Sequence, residues 1–231
     1  MIGIIDYGMG NLHSVKNACD FLGLESFVSD DEKNLAKADG LILPGVGAFP
    51  DAMKCLSEKK LDIFIKNEVA KSKPLLGICL GMQLLFDIGY EFSATKGLGL
   101  IHGEVVKIKP SDGLKVPHMG WNELTILKKT PLTERLKNGD QVYFVHSYKA
   151  IVQNRENLLA TTDYGGEITA IVGSGNTYGC QFHPEKSESV GLGILKRYGE
   201  IVNDCNSRNG SSRRKMRAAI ERSLHNGAKS R

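Results

Sequence analysis

The chain has 231 residues, 41% of them hydrophobic and 24% charged, which is typical of a globular protein with enough core to fold by itself. No apolar run is long enough to span a bilayer and no signal sequence opens the chain, so we expect a cytoplasmic protein without membrane contact. The five cysteines are scattered and form no C-x-x-C pair, which argues against a disulfide framework or a bound metal.

The net charge of +4 comes from the C-terminal end. Residues 207–231 hold eight of the 30 Lys and Arg residues but one of the 26 acidic residues, which leaves 22 basic and 25 acidic residues in 1–206. This mildly acidic body gives no reason to expect nucleic-acid binding. We expect one domain over 1–206 and a basic extension over 207–231, either disordered or a cloning remnant; a nucleic-acid or membrane arm is the alternative.

The first half of the sequence alternates predicted strands and helices. A strand over 1–6 and a Gly-rich turn precede a helix with Leu12, Val15, Ala18, Cys19 and Leu22 on one face. Further strands are predicted over 26–29, 40–43 and 74–78, with a surface helix over 58–71. This alternation predicts an α/β fold whose central, mostly parallel sheet is flanked by helices.

The second half has a different pattern. Short strand candidates follow one another with little between them, which predicts added antiparallel strands. They cover residues 105–109, 123–127, 141–146, 158–162, 168–172 and 178–182, and a last helix is predicted over 190–202.

A possible nucleophile lies between the strand over 74–78 and a helical pattern over 82–86. Cys79 has Gly77 and Gly81 two residues to either side, which is the G-x-S-x-G elbow with sulfur in place of oxygen. A sharp turn from strand to helix exposes the turn residue, and the N-terminus of the helix favours a thiolate. The alternative is a small buried cysteine before a helix.

A thiolate nucleophile needs a base and a group that orients the base. His183 follows the strand over 178–182, and Glu185 lies on the same side two residues later if the chain stays extended. His146 closes another predicted strand and is the rival base. The other histidines are expected in loops or on helix surfaces; they are His13, His102, His118 and His225.

Two stretches, 77–83 and 181–185, resemble the class I glutamine amidotransferase family, which has a Cys-His-Glu triad and a flavodoxin-like fold. Further stretches are similar, within that family, to the glutaminase subunits of imidazole glycerol phosphate synthases. These are residues 5–12, 43–49, 117–122, 143–148 and 182–187. The resemblance covers residues 1 to about 203 and leaves out the basic extension.

The resemblance implies roles at numbered positions. Cys79 would form a glutamyl thioester, His183 would move protons and Glu185 would orient His183. The oxyanion hole would use the backbone N–H of Leu80 and the loop containing Val46 and Gly47. The residues implied to hold glutamine are Gly45, Gln83, Glu91, Ser147 and Tyr148, with Glu91 in a stretch that departs from the usual acidic run.

The resemblance also implies a heterodimer and needs no cofactor. A (β/α)8 cyclase would bind the surface that carries Asn11, Trp121, Tyr143 and Lys186. Ammonia would pass to it from glutamine in histidine biosynthesis, giving imidazole glycerol phosphate and an aminoimidazole carboxamide ribonucleotide. One alternative is a sugar amidotransferase partner in surface-glycan biosynthesis, favoured slightly by His102 where proline is common. The other is a non-catalytic binding scaffold, and Trp121 is a core residue in the simpler interpretation.

Overall fold

A computed structural model of the chain describes residues 1–109 and 114–227, with side chains through Ser207. The strands are β1 (Ile2–Ile5), β2 (Ser26–Ser29), β3 (Gly40–Gly45), β4 (Leu75–Cys79), β5 (Ile88–Gly89), β6 (Thr95–Lys96), β7 (Gly103–Lys107), β8 (His118–Glu123), β9 (Thr125–Ile126), β10 (Gln141–His146), β11 (Tyr148–Val152), β12 (Leu158–Asp163), β13 (Glu167–Ser174) and β14 (Thr177–Cys180). The helices are α1 (Leu12–Phe21), α2 (Glu32–Leu35), α3 (Phe49–Glu58), α4 (Leu61–Ala70), α5 (Leu80–Gln83) and α6 (Glu188–Gly227).

The central sheet has the strand order β2-β1-β3-β4-β14-β13-β12-β9. Its first five strands are parallel, and β13, β12 and β9 follow, each pairing antiparallel with the strand before it. The predicted α/β fold, with a mostly parallel sheet and added antiparallel strands, is therefore confirmed. Two smaller sheets have the orders β10-β8 and β11-β7-β5-β6.

The core consists of two apolar clusters, one on each face of the sheet. In β3, Ile42 belongs to the cluster that contains α1 and α6, whereas Leu41 and Leu43 belong to the cluster that contains α3 and α4. Alternate residues of a strand point to opposite faces, so a strand buried on both faces has a continuous apolar sequence. That explains why β3 and β4 were recognisable as short apolar runs.

Two helix predictions were wrong in their bounds. The helix predicted over 58–71 corresponds to α4, Leu61–Ala70. A separate helix, α3, precedes it, and the two are divided at Lys60, which has φ 59°. The start of α3 was missed although Pro50 is typical of a first helical turn. The elbow helix α5 covers Leu80–Gln83, so it both begins and ends earlier than the helical pattern predicted over 82–86; the chain then forms β5, which pairs with β6 and β7.

The final helix begins as predicted and continues through Gly227. The backbone of the basic extension is therefore helical up to that residue, and its independence from the domain stays a prediction. Among the described residues, no helix is both long and apolar enough to cross a membrane.

Candidate active site

The elbow places Cys79 at the end of β4 in a strained backbone conformation, with φ 55° and ψ −111°. The two flanking glycines are required by close packing. A Cβ on Gly81 would lie 1.8 Å from the carbonyl oxygen of Leu43, and one on Gly77 would lie 2.6 Å from the carbonyl oxygen of Gly81. Only glycine fits at both positions.

Sheet register brings the other predicted elements to Cys79. In β3, Gly45 pairs with Cys79, and in β14, Cys180 pairs with Ile78. Because β3, β4 and β14 are parallel, their carboxyl ends meet at one edge of the sheet. The loop after Gly45 and the segment that contains His183 therefore flank Cys79 from opposite sides, in the crevice where ligands of such sheets bind.

His183 and Glu185 form a buried pair. The distance from Nδ1 of His183 to Oε1 of Glu185 is 2.8 Å, and both side chains are at most 4% exposed. The segment is not extended, since residues Pro184–Lys186 form a 3₁₀ turn, yet the carboxylate reaches the ring. Burial lowers the pKa of His183, but hydrogen bonds with Cys79 and Glu185 outweigh burial and raise it to about 10. These contacts therefore favour the imidazolium form of His183.

A neighbouring strand fixes the backbone of His183. Its N–H donates to the carbonyl oxygen of Tyr143 at 3.1 Å. Ser187 Oγ accepts from the N–H of Tyr143 at 2.9 Å and donates to the carbonyl oxygen of His183 at 2.7 Å. Ser187 was missed as a site residue, although it closes the quoted stretch over 182–187.

Gln83 lies near Cys79 and links two elements. Its Nε2 lies 3.1 Å from the carbonyl oxygen of Tyr148 and 3.0 Å from Oε1 of Gln181. Nε2 of Gln181 in turn lies 3.9 Å from the sulfur of Cys79. Gln181, also missed, therefore joins Gln83 to Cys79. The carbonyl oxygen of Ser147, next to Tyr148, accepts from the N–H of Ile108 at 2.9 Å.

The loop after β3 combines a glycine at positive φ with an exposed residue. Gly47 has φ 101°, and Val46 is 42% exposed. The far end of the loop is held by Glu91, whose Oε2 accepts from the N–H of Phe49 at 2.8 Å. Leu80, the first residue of α5, is buried next to Gly45: a Cβ added to that glycine would lie 3.0 Å from the Cβ of Leu80.

The rival base, His146, is occupied on both ring nitrogens. Nδ1 lies 2.7 Å from the carbonyl oxygen of Tyr148, and Nε2 lies 3.0 Å from Nδ1 of His118. Burial lowers the pKa of His146 to about 4. The expectation that His118 lies at the surface was wrong, because the ring is fully buried and stacks on Phe144 and Tyr164 at centroid distances of 4.6 and 4.0 Å.

The residues expected to face a partner lie mostly at the surface. Trp121 is 44% exposed, so it is not a core residue, and it pairs with Tyr143 across β8 and β10 at a ring-centroid distance of 6.0 Å. Lys186 is exposed. Asn11 caps α1, its Oδ1 accepting from the N–H of Ser14 at 3.3 Å.

The sequence matches the family model for glutamine amidotransferase class-I over residues 3–197. Similar curated proteins include the imidazole glycerol phosphate synthase subunit HisH of Listeria innocua, 50% identical over 90% of this chain and 99% of the relative. The subunits HisH of Shouchella clausii and Halalkalibacterium halodurans are 52% and 54% identical. Each alignment covers 87% of this chain, and 99% and 96% of the respective relative.

Solved structures agree on the fold. The structure of PurLQS from Thermotoga maritima gives a TM-score of 0.68 at 20% identity, covering 87% of this chain and 98% of that one. A crystal structure of a glutamine amidotransferase gives a TM-score of 0.67 at 21% identity, covering 87% and 97%. On the family match and the identity to its relatives, the chain belongs to the class I glutamine amidotransferase family.

Proposed function

We propose that this chain is the glutaminase subunit of an imidazole glycerol phosphate synthase. It hydrolyses L-glutamine to glutamate and passes ammonia to a cyclase in histidine biosynthesis. The observation that carries the proposal is identity of 50 to 54% to HisH subunits over 87 to 90% of the chain, together with Cys79 and the His183–Glu185 pair at one sheet edge.

In the first half of the reaction, the thiolate of Cys79 attacks the side-chain amide carbon of glutamine. The oxygen gains a negative charge, which the backbone N–H of Leu80 and an N–H from Val46 or Gly47 stabilise. The imidazolium of His183 gives its proton to the departing nitrogen. The carbon–nitrogen bond then breaks, and ammonia and a glutamyl thioester result.

In the second half, His183 is neutral and accepts a proton from water. The hydroxide attacks the thioester, the carbon–sulfur bond breaks, and glutamate leaves while the thiolate and the imidazolium are restored. Glu185 acts through His183, because its carboxylate orients the ring and stabilises its positive charge at 2.8 Å. Burial of both side chains strengthens this interaction relative to water.

Glutamine is held by the residues around the crevice. Gln83 and the backbone of Ser147 and Tyr148 contact its α-amino and α-carboxylate region, and the backbone of Gly45 borders its side chain. Glu91 either contacts the α-amino group or, through Phe49, holds the oxyanion loop in place.

The partner is a (β/α)8 cyclase in a cytoplasmic heterodimer. It binds Trp121 and Tyr143 on the outer face of the β8–β10 ribbon, with Asn11 and Lys186 nearby. A surface depression of about 390 Å³ beside Trp121, lined also by Gln141 and Ser187, can accept a partner side chain. Ammonia enters the partner without meeting bulk water, where it would be protonated and lose its nucleophilicity.

His102 is the difference that slightly favoured the sugar-amidotransferase alternative. Its side chain is 73% exposed, and its Nδ1 lies 3.3 Å from Asp87, so this difference concerns the surface and not the chemistry at Cys79.

The test combines the chain with a (β/α)8 cyclase and measures glutamate and imidazole glycerol phosphate. We expect Cys79→Ala to abolish glutamine-dependent synthesis while free ammonia still supports the cyclase. Glutamine-dependent synthesis by Cys79→Ala would refute the nucleophile. Wild-type turnover with a sugar amidotransferase, but not with the cyclase, would favour the alternative, and no turnover with either would favour a scaffold.

A further inference from the structure

The β8–β10 ribbon carries two buried histidines, His118 and His146, on its inner face beneath the proposed partner surface. In the register of the ribbon, His118 lies directly opposite His146. Two residues further along, Gly120 lies opposite Phe144. Because side chains alternate along a strand, Trp121 and Tyr143 point outward while both histidines point inward. The two imidazole rings meet edge to face, with centroids 4.9 Å apart.

The histidines belong to a continuous series of hydrogen bonds. Nδ2 of Asn122 donates to the carbonyl oxygen of Asp163 at 3.1 Å, which turns Oδ1 of Asn122 toward Nε2 of His118, also at 3.1 Å. From His118 the series continues through His146 to the carbonyl oxygen of Tyr148. That carbonyl also accepts from Gln83, which reaches Gln181 beside Cys79.

Counting the protons of the two rings shows which ring nitrogens donate and which accept. Burial lowers the pKa of His118 and of His146, and the nearby His183 lowers the pKa of His146 further, which favours the neutral form of both rings. The shortest contact, 2.7 Å, is to a carbonyl oxygen, which can only accept. The proton of His146 is therefore on Nδ1, and His118 has one proton for two acceptors, Nε2 of His146 and Oδ1 of Asn122.

The hydrogen bond from Nδ1 of His146 to the carbonyl oxygen of Tyr148 spans a tight connection. β10 ends at His146 and β11 begins at Tyr148, with Ser147 alone between them. A hydrogen bond from the first to the third residue fixes the peptide groups in this connection. These are the groups proposed to bind glutamine, and the Tyr148 carbonyl also orients the Gln83 amide, which is 5% exposed.

We propose that the His118–His146 dyad is a positioning element for glutamine hydrolysis, which fixes the Ser147–Tyr148 backbone and, through the Tyr148 carbonyl, the amide of Gln83. The inference rests on the proposed function. The dyad does not touch the reacting atoms, and its effect is on where glutamine is held relative to Cys79. A displacement of about 1 Å at such a site lowers the rate on the order of 100-fold.

Two isosteric substitutions separate the two contacts of His146. His146→Asn places an amide where Nδ1 was and can keep the bond to Tyr148. His146→Gln places the amide where Nε2 was, so it keeps the contact with His118 and loses the one with Tyr148. We expect kcat/KM for glutamine to fall about 100-fold in His146→Gln, and to stay within about tenfold of wild type in His146→Asn.

Alkylation distinguishes positioning from general damage. A glutamine-like chloroketone needs the glutamine-binding groups, so its rate at Cys79 should follow kcat/KM across the variants. Iodoacetamide needs only an accessible thiolate, so its rate should stay within about twofold of wild type. Leu35→Ala, in a fully buried position of α2, is the control for lost stability and should leave kcat/KM near wild type below its melting temperature.

Equal kcat/KM in the two His146 variants, or lower kcat/KM in His146→Asn, would overturn the proposal. So would a parallel fall of both alkylation rates. Wild-type protein without glutamine turnover or chloroketone labelling at Cys79 would instead refute the proposed function on which the inference rests.

Discussion

The backbone strain at Cys79 predicts that the protein is more stable with glycine than with alanine at this position. Cys79→Ala and Cys79→Gly both remove the sulfur, so their difference isolates the Cβ atom. At φ 55° and ψ −111° a residue with a Cβ lies outside the ordinary allowed regions, including the left-handed helical region. Such strain costs on the order of 1–3 kcal/mol, and this conformation belongs at the upper end.

Two terms oppose the gain from glycine. Its greater freedom in the unfolded state costs about 1 kcal/mol, and the lost methyl group at a position 7% exposed costs about 0.8 kcal/mol. Subtracting both costs from about 3 kcal/mol of relieved strain leaves Cys79→Gly more stable than Cys79→Ala by about 1 kcal/mol. For a chain of this size that corresponds to a melting temperature roughly 2–4 °C higher.

Urea and thermal unfolding of the two variants measure this difference. The matched control is Lys54, an exposed residue inside α3, where alanine should be more stable than glycine by about 1 kcal/mol. We expect the alanine variant to be the more stable at Lys54 and the glycine variant to be the more stable at Cys79. Greater or equal stability of Cys79→Ala, with the control behaving as stated, would refute the strain argument.

Four further outcomes are expected. Glu185→Gln should retain more glutaminase activity than His183→Ala, because an amide still orients the ring; the reverse order in a steady-state assay would contradict this. Burial lowers the pKa of His146 from 6.5 to about 4, so protonation of this residue favours the unfolded chain as the pH falls below 6.5. About 3 kcal/mol of the free energy of unfolding is lost by pH 4, and urea titrations should show a smaller loss in His146→Asn. Gly47→Val should lower the glutaminase rate measured with the partner, because φ 101° suits only glycine and the proposed oxyanion loop would have to move; an unchanged rate would exclude this loop from the oxyanion hole. Truncation after Asn206 should leave melting temperature and glutaminase rate nearly unchanged, and a clear loss of either would show that the basic extension packs on the domain.

The sequence by itself determined the parts of the fold and site that depend on local properties. Apolar runs identified β3 and β4, because strands buried on both faces need no polar alternation. The glycines around Cys79 predicted the elbow, because only glycine tolerates the approach of Leu43 and Gly81. The contact between His183 and Glu185 was within reach of sequence reasoning because the two residues are two positions apart.

Tertiary structure decided what depends on pairing between distant segments. Trp121 is half exposed and His118 is fully buried, the reverse of what residue type suggests, because β8 pairs with β10 in a register that turns the tryptophan outward. The link from Gln83 through Gln181 to Cys79 joins residues about a hundred positions apart. Hydrophobic periodicity carries no information about such partners, since they are set by the order in which strands assemble into the sheet.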